Sequence, residues 1–456
     1  MLSKLSQRIG HSRDLEDYLS QIFGWMREFL EVLQQHEQIH KTGKARFSPN
    51  GICIKYIGLY FGIQQLLEFK QSLHFNDYSL KFCLIHLKSG VHGMHVGMCS
   101  IFQNPGDKFD DQRVYSNEVA LAESAEPLGF ESIWTVEHHF TNYTMCPDPM
   151  QFLTYMAAKT EKIKLGSMVV VLPWHDPIRV AEQISMLDTL SSGRLILGLG
   201  RGAGRVEFDA FRQDMADSRN RFIESAECVL NGLENGICEY QGKFVNQPKA
   251  AIRPQPSATF KGRTYAAAVS PESIEIMAKL GIGLLVIPQK PWNQVEQEIA
   301  SYNKVYKELN NEEPPSPLLA GWTICHEDAD TAKNLAKKYI GGYWQTVLDH
   351  YNFDTTHLKN QKGYEYYGKF AENMKKTGVD GAVEFFMSLQ TWGTPDDCLR
   401  QIESNCSRIG AEAYIGVFSF AGMPIEIARA NIGLFSKKVL PKLKAKSITG
   451  NIDWAA

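Results

Sequence analysis

The nine residues Lys164-Leu165-Gly166-Ser167-Met168-Val169-Val170-Val171-Leu172 decide the fold. From Met168 onward they are apolar without a break. A strand exposed on one face alternates apolar and polar residues, whereas an unbroken apolar strand belongs to a parallel sheet covered on both faces. The reading predicts a single strand over 164–172. A helix over Pro177–Leu190 follows, with proline near its first turn. A strand over Arg194–Leu199 and a helix over Ser218–Leu233, with Ser218 as cap, come next.

The alternation extends both ways. Upstream lie a strand at His95–Phe102 and a helix at Tyr115–Leu128, with Gly129 just past its end. A strand at 132–136 and a helix at 149–160 complete that side. Downstream come strands at Thr264–Val269, Gly283–Ile287, Leu318–Cys325 and Ala413–Phe418. Helices interleave at Pro271–Leu280, Trp292–Leu309, Asp328–Thr346, Pro395–Ile409 and Ile425–Val439. The expected fold is α/β, a (β/α)8 TIM barrel with insertions, spanning 94–445. One insertion, Glu234–Lys261, carries turn dipeptides and reads as a short hairpin. The larger, Leu348–Thr377, is a long irregular segment of the kind that is either a functional loop or disordered. Residues 446–456 form a tail. Residues 1–93 lack the alternation and read as an N-terminal extension, with one amphipathic helix over Leu15–Ile39.

Composition narrows the class. A hydrophobic content of 44% supports a sizeable core, and a net charge of −3 gives no reason to expect nucleic acid or an anionic membrane. No stretch reaches the roughly 18 apolar residues of a membrane span. The start of the chain has no secretory pattern. Nine cysteines, with no Cys-x-x-Cys pair, suggest reduced thiols in a cytoplasmic protein.

In a barrel of this kind, chemistry sits at the C-terminal ends of the strands. Glu137-His138-His139-Phe140 directly follows the strand at 132–136, which places a carboxylate and two imidazoles at that end. The bland alternative is a polar loop. Gly198-Leu199-Gly200-Arg201-Gly202-Ala203-Gly204 also follows a strand. Its glycines allow close backbone approach, and Arg201 offers donors for a phosphate. A dinucleotide fingerprint starting at Gly198 fails, because its third glycine position holds Ala203. Asp217-Ser218-Arg219-Asn220-Arg221 and Val269-Ser270-Pro271-Glu272-Ser273 both open helices, where phosphate is favoured; ordinary capping explains the second equally well. His36-Glu37-Gln38-Ile39-His40 matches a zinc-protease pattern, but the third-ligand position of the longer form is Arg46, so a chance match is the better reading and no metal site is expected.

Together these stretches resemble the bacterial luciferase-like flavin monooxygenases. The resemblance rests on Gly129-Phe130-Glu131-Ser132-Ile133-Trp134 running into the 137–140 tetrad, on Lys164-Leu165-Gly166-Ser167, and on Leu187-Asp188 before Ser192-Gly193-Arg194. It continues through Gly200-Arg201-Gly202, Ser218-Arg219 and Trp392-Gly393-Thr394-Pro395. It implies a barrel that takes reduced FMN from a separate flavin reductase. Dioxygen then forms a peroxyflavin that oxygenates a small, apolar substrate. It further implies His138 as acid/base, with Glu137 tuning or positioning it. Arg201, Arg219, Ser270 and Ser273 are implied at the phosphate, with Val269 contributing backbone and Gly200 beside the cofactor. Met168-Val169 is implied as a non-proline cis pair behind the flavin ring. A homodimer is also implied. The chain departs from luciferase in having Gly200 where luciferase has a reactive cysteine, which weakens the case for a long-chain aldehyde and for light emission. The insertion at 348–377 corresponds to a mobile active-site loop and is expected to act as a lid. A deazaflavin-dependent hydride transfer and a non-catalytic flavin-binding protein are the rival readings.

Overall fold

Eight parallel strands form the frame of the computed structural model. They are β1 (His95–Ser100), β2 (Ser132–Thr135), β3 (Lys164–Ser167), β4 (Leu195–Gly200), β5 (Thr264–Ala267), β6 (Gly283–Val286), β7 (Leu318–Cys325) and β8 (Ala413–Val417). Each pairs in parallel with its sequence neighbours, and β8 returns to β1 with Ala413 opposite His95. The β6–β7 pairing, Leu285 opposite Leu318, completes the closed ring of eight. The TIM barrel expected from the alternation is therefore the fold. The structure describes residues 91–267, 271–351 and 381–446, together with 448, 449, 452 and 454. The chain divides into two units, Met1–Lys88 and Ser89–Ala456. The first unit lies outside the described residues, as do the Leu15–Ile39 helix and the His36–His40 pattern.

The helices between strands start where short polar side chains supply caps. Asp110 accepts from Arg113 N ahead of the helix Asp111–Glu123. Asp148 does so ahead of Pro149–Lys159, and Asp176 ahead of Pro177–Leu190. Each satisfies backbone donors that the first helical turn leaves unpaired. Thr394 and Asp397 form a reciprocal capping box at Pro395–Ile409.

Several elements differ from the sequence reading. The helix expected over Tyr115–Leu128 runs Asp111–Glu123, because the Asp110 cap starts it a turn earlier. The strand expected over 164–172 is two pieces. After Ser167 the chain leaves β4, and the Ser167 hydroxyl takes over the ladder: it donates to Gly198 O at 3.0 Å and accepts from Gly198 N at 2.8 Å. The Met168–Val169 peptide is cis. Only then do Val170–Val171 rejoin β4 opposite Leu199–Gly200. Ser218 is not the cap of its helix; a 3-10 turn, Met215–Asp217, leads into Ser218–Asn235, and Asp217 holds the cap position without a side-chain bond. The helix expected to end at Thr346 extends to Tyr351. Elements that went unread include the helix Arg205–Ala210, a helix over 381–389, the helix Leu440–Ala445 and the strand Thr391–Gly393, which pairs with the end of β7. The hairpin in 234–261 is present as Ile237–Gln241 against Asn246–Ala251. The proposed lid falls mostly on 352–380, outside the described residues.

The bottom of the barrel is closed by structural polar contacts. Arg263 binds Asp188 through two hydrogen bonds, of 2.6 and 2.9 Å, with both side chains buried. Arg194 donates to the carbonyls of Ser191, Ile163 and Ala157. Asp188 and Arg194, part of the stretches that carry the resemblance, thus serve stability. Trp454, 7% exposed, donates to the Tyr265 hydroxyl and packs edge-on against His95. Just ahead of the first barrel strand, Val91–His92 pair antiparallel with Ile448–Thr449. The seven cysteines among the described residues are free and buried. Among the described residues no helix is long and apolar enough to cross a membrane.

Candidate active site

The tetrad 137–140 emerges from the top of β2 into a cleft of about 200 Å³. His138 lines this cleft together with Met168, Val169, Gly200, Arg201, Arg219, Ser273 and Gln289. A second, smaller chamber of about 120 Å³ adjoins it, and His138, Met168, Ala203, Ile287, Gln289 and Tyr351 belong to both linings. His138 therefore stands at the junction. Of the sequence-derived site residues, Glu137, His138, Met168, Val169, Gly200, Arg201, Arg219 and Ser273 all converge on the cleft. Val269 and Ser270 lie outside the described residues.

The carboxylate that serves His138 is Glu207, not Glu137. His138 Nδ1 lies 2.9 Å from Glu207 Oε1, which leaves Nε2 as the ring nitrogen open to exchange with a ligand. The Glu207 side chain is fully buried, and the same oxygen accepts from the His139 backbone N–H at 3.0 Å. His350 comes from the end of the helix Ala329–Tyr351 and puts Nε2 3.7 Å from Glu207. Its Nδ1 is 3.1 Å from the Thr141 hydroxyl, and its ring stacks on Tyr143 at 4.4 Å. Burial pushes the Glu207 carboxyl upward, but the charge and hydrogen bond of His138 and the contact with His350 outweigh it and hold the group down to about 2. Burial, reinforced by the nearby His138, lowers His350, so it stays neutral near pH 7. The ligand atoms of His138, Glu207 and His350 lie within 4.8 Å of one another, a donor set that could also hold a metal ion. The 2.9 Å approach of imidazole to carboxylate is a hydrogen-bond distance, and the cluster works as a charge-assisted network.

Glu137 has a different task. Its buried carboxylate accepts from Val171 N at 2.8 Å and lies 2.6 Å from His175 Nε2 and 3.1 Å from His139 Nε2. None of its hydrogen bonds is to His138. It ties the loop after β2 to the chain just beyond the cis peptide. Burial alone would raise its pKa, but His139, His175 and the Val171 N–H together lower it. In return, the Glu137 carboxylate raises His175 against the effect of burial.

Sequence reading missed Glu207, His350, His175 and Trp174. Glu207 sits on the six-residue helix Arg205–Ala210, hidden behind a glycine-rich turn. Gly204 leaves room for it: a Cβ there would crowd Glu207 Oε2 and His350 Nε2, a contact only the fold reveals. Two more glycines shape the cleft. A Cβ on Gly200 would meet Val169 Cγ2 at 2.2 Å, and Gly202, at φ +78, would meet Trp174 and Val171 at 2.8 Å.

Arg201, Arg219 and Ser273 line the cleft but not the chamber, and bring to it two guanidinium groups and a hydroxyl from the start of the helix Pro271–Lys279. Arg219 lies 3.6 Å from the exposed Glu272 carboxylate, and its buried Nε makes no hydrogen bond. This donor set suits the phosphate of a flavin mononucleotide.

The sequence between 94 and 413 matches the model of the luciferase-like monooxygenase family. The alkanal monooxygenase alpha chain of Photorhabdus luminescens is 26% identical over 348 residues, covering 74% of this chain and 95% of that protein. The oxygenase component of a flavin-dependent trigonelline monooxygenase from Acinetobacter baylyi is 30% identical over 247 residues, covering 52% of this chain and 69% of that protein. Among solved structures, the oxygenating constituent of 3,6-diketocamphane monooxygenase from Pseudomonas putida, in complex with FMN, superposes with a TM-score of 0.59 at 18% identity. That match covers 76% of this chain and 99% of the other and supports the shared fold. The chain belongs to the luciferase-like monooxygenase family. It is an enzyme of that family, a flavin-dependent monooxygenase.

Proposed function

We propose that this enzyme takes reduced FMN from a separate reductase and uses dioxygen to oxygenate a small, apolar organic molecule. The observation that carries the reading is the position of His138, between a cleft suited to a flavin phosphate and an adjoining chamber, with a buried carboxylate behind it. Reduced FMN, when bound, supplies the oxygen chemistry through a peroxyflavin. The chain's own residues do the rest. Arg201, Arg219 and Ser273, with Val269 and Ser270 on the resemblance, hold the phosphate. Met168, Val169 and Gly200 form the wall against which the ring system lies. His138 exchanges a proton through Nε2, while Glu207 holds Nδ1 and so sets the tautomer and stabilises the imidazolium. Glu137 acts as a positioning residue for the loop. On the same resemblance the enzyme works as a homodimer; its nine cysteines without a Cys-x-x-Cys pair favour the cytoplasm, and residues 1–93, 94–445 and 446–456 are extension, barrel and tail.

The test uses purified full-length protein with photoreduced FMN and, separately, a reduced deazaflavin. Air is admitted and spectra are recorded. A long-lived oxygen adduct with FMN is expected; binding of the deazaflavin alone would overturn the reading in favour of hydride transfer. His138→Ala is expected to keep FMN affinity within about threefold while substrate-dependent oxygen consumption falls by ~10²-fold or more, the usual scale of a lost general acid/base. Unchanged consumption would remove the role given to His138.

A further inference from the structure

Two buried polar atoms behind His138 are left without a hydrogen bond. They are Glu207 Oε2 and His350 Nε2, on side chains that are 0% and 1% exposed. The 3.7 Å between His350 Nε2 and Glu207 Oε1 is beyond hydrogen-bond range. The other nitrogen of that ring, Nδ1, is 3.1 Å from the Thr141 hydroxyl. With the ring proton donated there, Nε2 turns a lone pair toward the carboxylate. Lone pairs that face one another away from water are unfavourable, and a cation among them removes the cost. Both atoms border the same space: a Cβ on Gly204 would stand 2.3 Å from Glu207 Oε2 and 2.8 Å from His350 Nε2.

Spacing and donor chemistry agree. In a tetrahedral site with bonds of about 2.0–2.1 Å, neighbouring donors stand about 3.3 Å apart. Around Glu207 Oε1, His138 Nδ1 is at 2.9 Å and His350 Nε2 at 3.7 Å, which bracket that value. No pair in the set is more than 4.8 Å apart. Closing the widest pair takes a rotation of His138, whose side chain is 17% exposed. Two imidazoles and one carboxylate are a donor set of open zinc sites, which keep a fourth position for water. Imidazole favours zinc and its neighbours over magnesium and calcium, which take oxygen ligands. Outer contacts that orient the ligands are in place: Thr141 on His350, and the His139 backbone N–H on Glu207 at 3.0 Å.

We propose that His138, Glu207 and His350 form a binding site for zinc, and that the bound ion takes His138 out of its proton-transfer role. The blocking rests on the role given to His138; the site itself does not. Zinc takes the lone pair of His138 Nδ1, so the Nδ1–H bond and its hydrogen bond to Glu207 are lost. The proton moves to Nε2, the nitrogen open to the cleft, and no electron changes hands. Nε2 then carries a hydrogen and has no lone pair with which to accept another. The ion enters from the cleft, because His138 alone of the three lines it.

Calorimetric titration of untagged full-length protein, free of flavin, with Zn²⁺ and separately with Mg²⁺ tests the site. One Zn²⁺ per chain is expected, with a dissociation constant on the order of 1 µM or tighter. Mg²⁺ is expected not to compete, and Co²⁺ to give the visible bands of a low-coordinate ion. His350→Gln and Glu207→Gln should each weaken Zn²⁺ by at least about a hundredfold, since even an outer contact is worth about 10–100-fold. The rival is the His36–His40 pattern, so His36→Ala/His40→Ala is expected to bind Zn²⁺ like the wild type. No stoichiometric Zn²⁺, equal binding of Mg²⁺, or binding that follows His36 and His40 instead of His350 and Glu207 would overturn the site. No flavin is present, so these outcomes stand apart from the cofactor reading. Blocking is measured with reduced FMN: stoichiometric Zn²⁺ should lower substrate-dependent oxygen consumption by ~10²-fold, the scale of a lost general acid/base. A chelator should restore it, and the residual rate of His138→Ala should not respond to Zn²⁺. Full consumption with Zn²⁺ bound would overturn the blocking.

Discussion

Glu137 shows what one buried carboxylate does at the rim of this barrel. It is anionic against the pull of burial because three donors face it, and His175 is held protonated by it in turn. The sign of each shift sets a pH window. The lowered Glu137 contributes stability that is full above its ordinary value of 4.5 and lost as pH falls through its folded value. The raised His175 contributes stability that is full below its ordinary value of 6.5 and lost as pH rises through its folded value. The pair is thus worth most between pH 4.5 and 6.5. Glu137→Gln is expected to cost about 2 kcal/mol in that window. Melting curves of wild type and variant should converge as pH falls below that window and draw closer, without meeting, above it. A difference independent of pH would show that the two groups are not coupled.

At the scale of elements, the decisive contact is the end of β4 against the residues after β3. Gly200 faces Val169 so closely that any side chain must displace it. Gly200→Ala is expected to weaken FMN binding by about tenfold, because overpacking a tight contact typically costs 1–3 kcal/mol. The double variant Gly200→Ala/Val169→Ala should recover most of that loss, as contacting sites are non-additive. Equal losses in single and double variants, read by fluorescence titration, would mean that the wall is not formed by this pair. The same region shows where sequence reading ends. Strands such as Leu195–Gly200, buried throughout, and helices opened by a proline such as Pro177–Leu190 were legible because periodicity and helix-start signals are local. The break after Ser167 was not, since an apolar run looks the same whether or not a side chain interrupts its ladder. The helix Arg205–Ala210 is too short to show a period, so Glu207 stayed hidden although its partner His138 was among the candidates. His350 was out of reach for another reason: it lies 212 residues beyond its neighbour His138, and only barrel closure brings them together. The tetrad itself was legible as a place, but on paper Glu137 was the carboxylate assigned to His138, and only the hydrogen bonds show Glu207 there and Glu137 elsewhere.

Across the whole molecule, stability and chemistry sit at opposite ends of one barrel. The lower end is closed by Arg263 on Asp188 and by Trp454 against Tyr265 and His95. Burial, reinforced by the charges of Lys444 and Lys164, lowers His95 to about 3, so it packs there as a neutral ring. Trp454→Ala is expected to destabilise the fold by about 3 kcal/mol, as for other buried tryptophans. FMN affinity should be unchanged at temperatures where the variant is folded. Urea denaturation and flavin titration on the same preparation check both halves, and a parallel loss of affinity would contradict the division. The upper end carries its charges in a network that closes on itself: Glu137 with two histidines, Glu207 with two others.

That network gives the protein a reporter of its own. A proton on His138 Nδ1, shared over 2.9 Å with a carboxylate that solvent does not reach, exchanges slowly and is strongly deshielded. It should stand as an isolated resonance far downfield of the amide envelope in a one-dimensional proton spectrum and vanish in Glu207→Ala. Its position would follow every change around the imidazole, so the readiness of the site can be watched in the resting protein, before any cofactor, substrate or turnover is supplied.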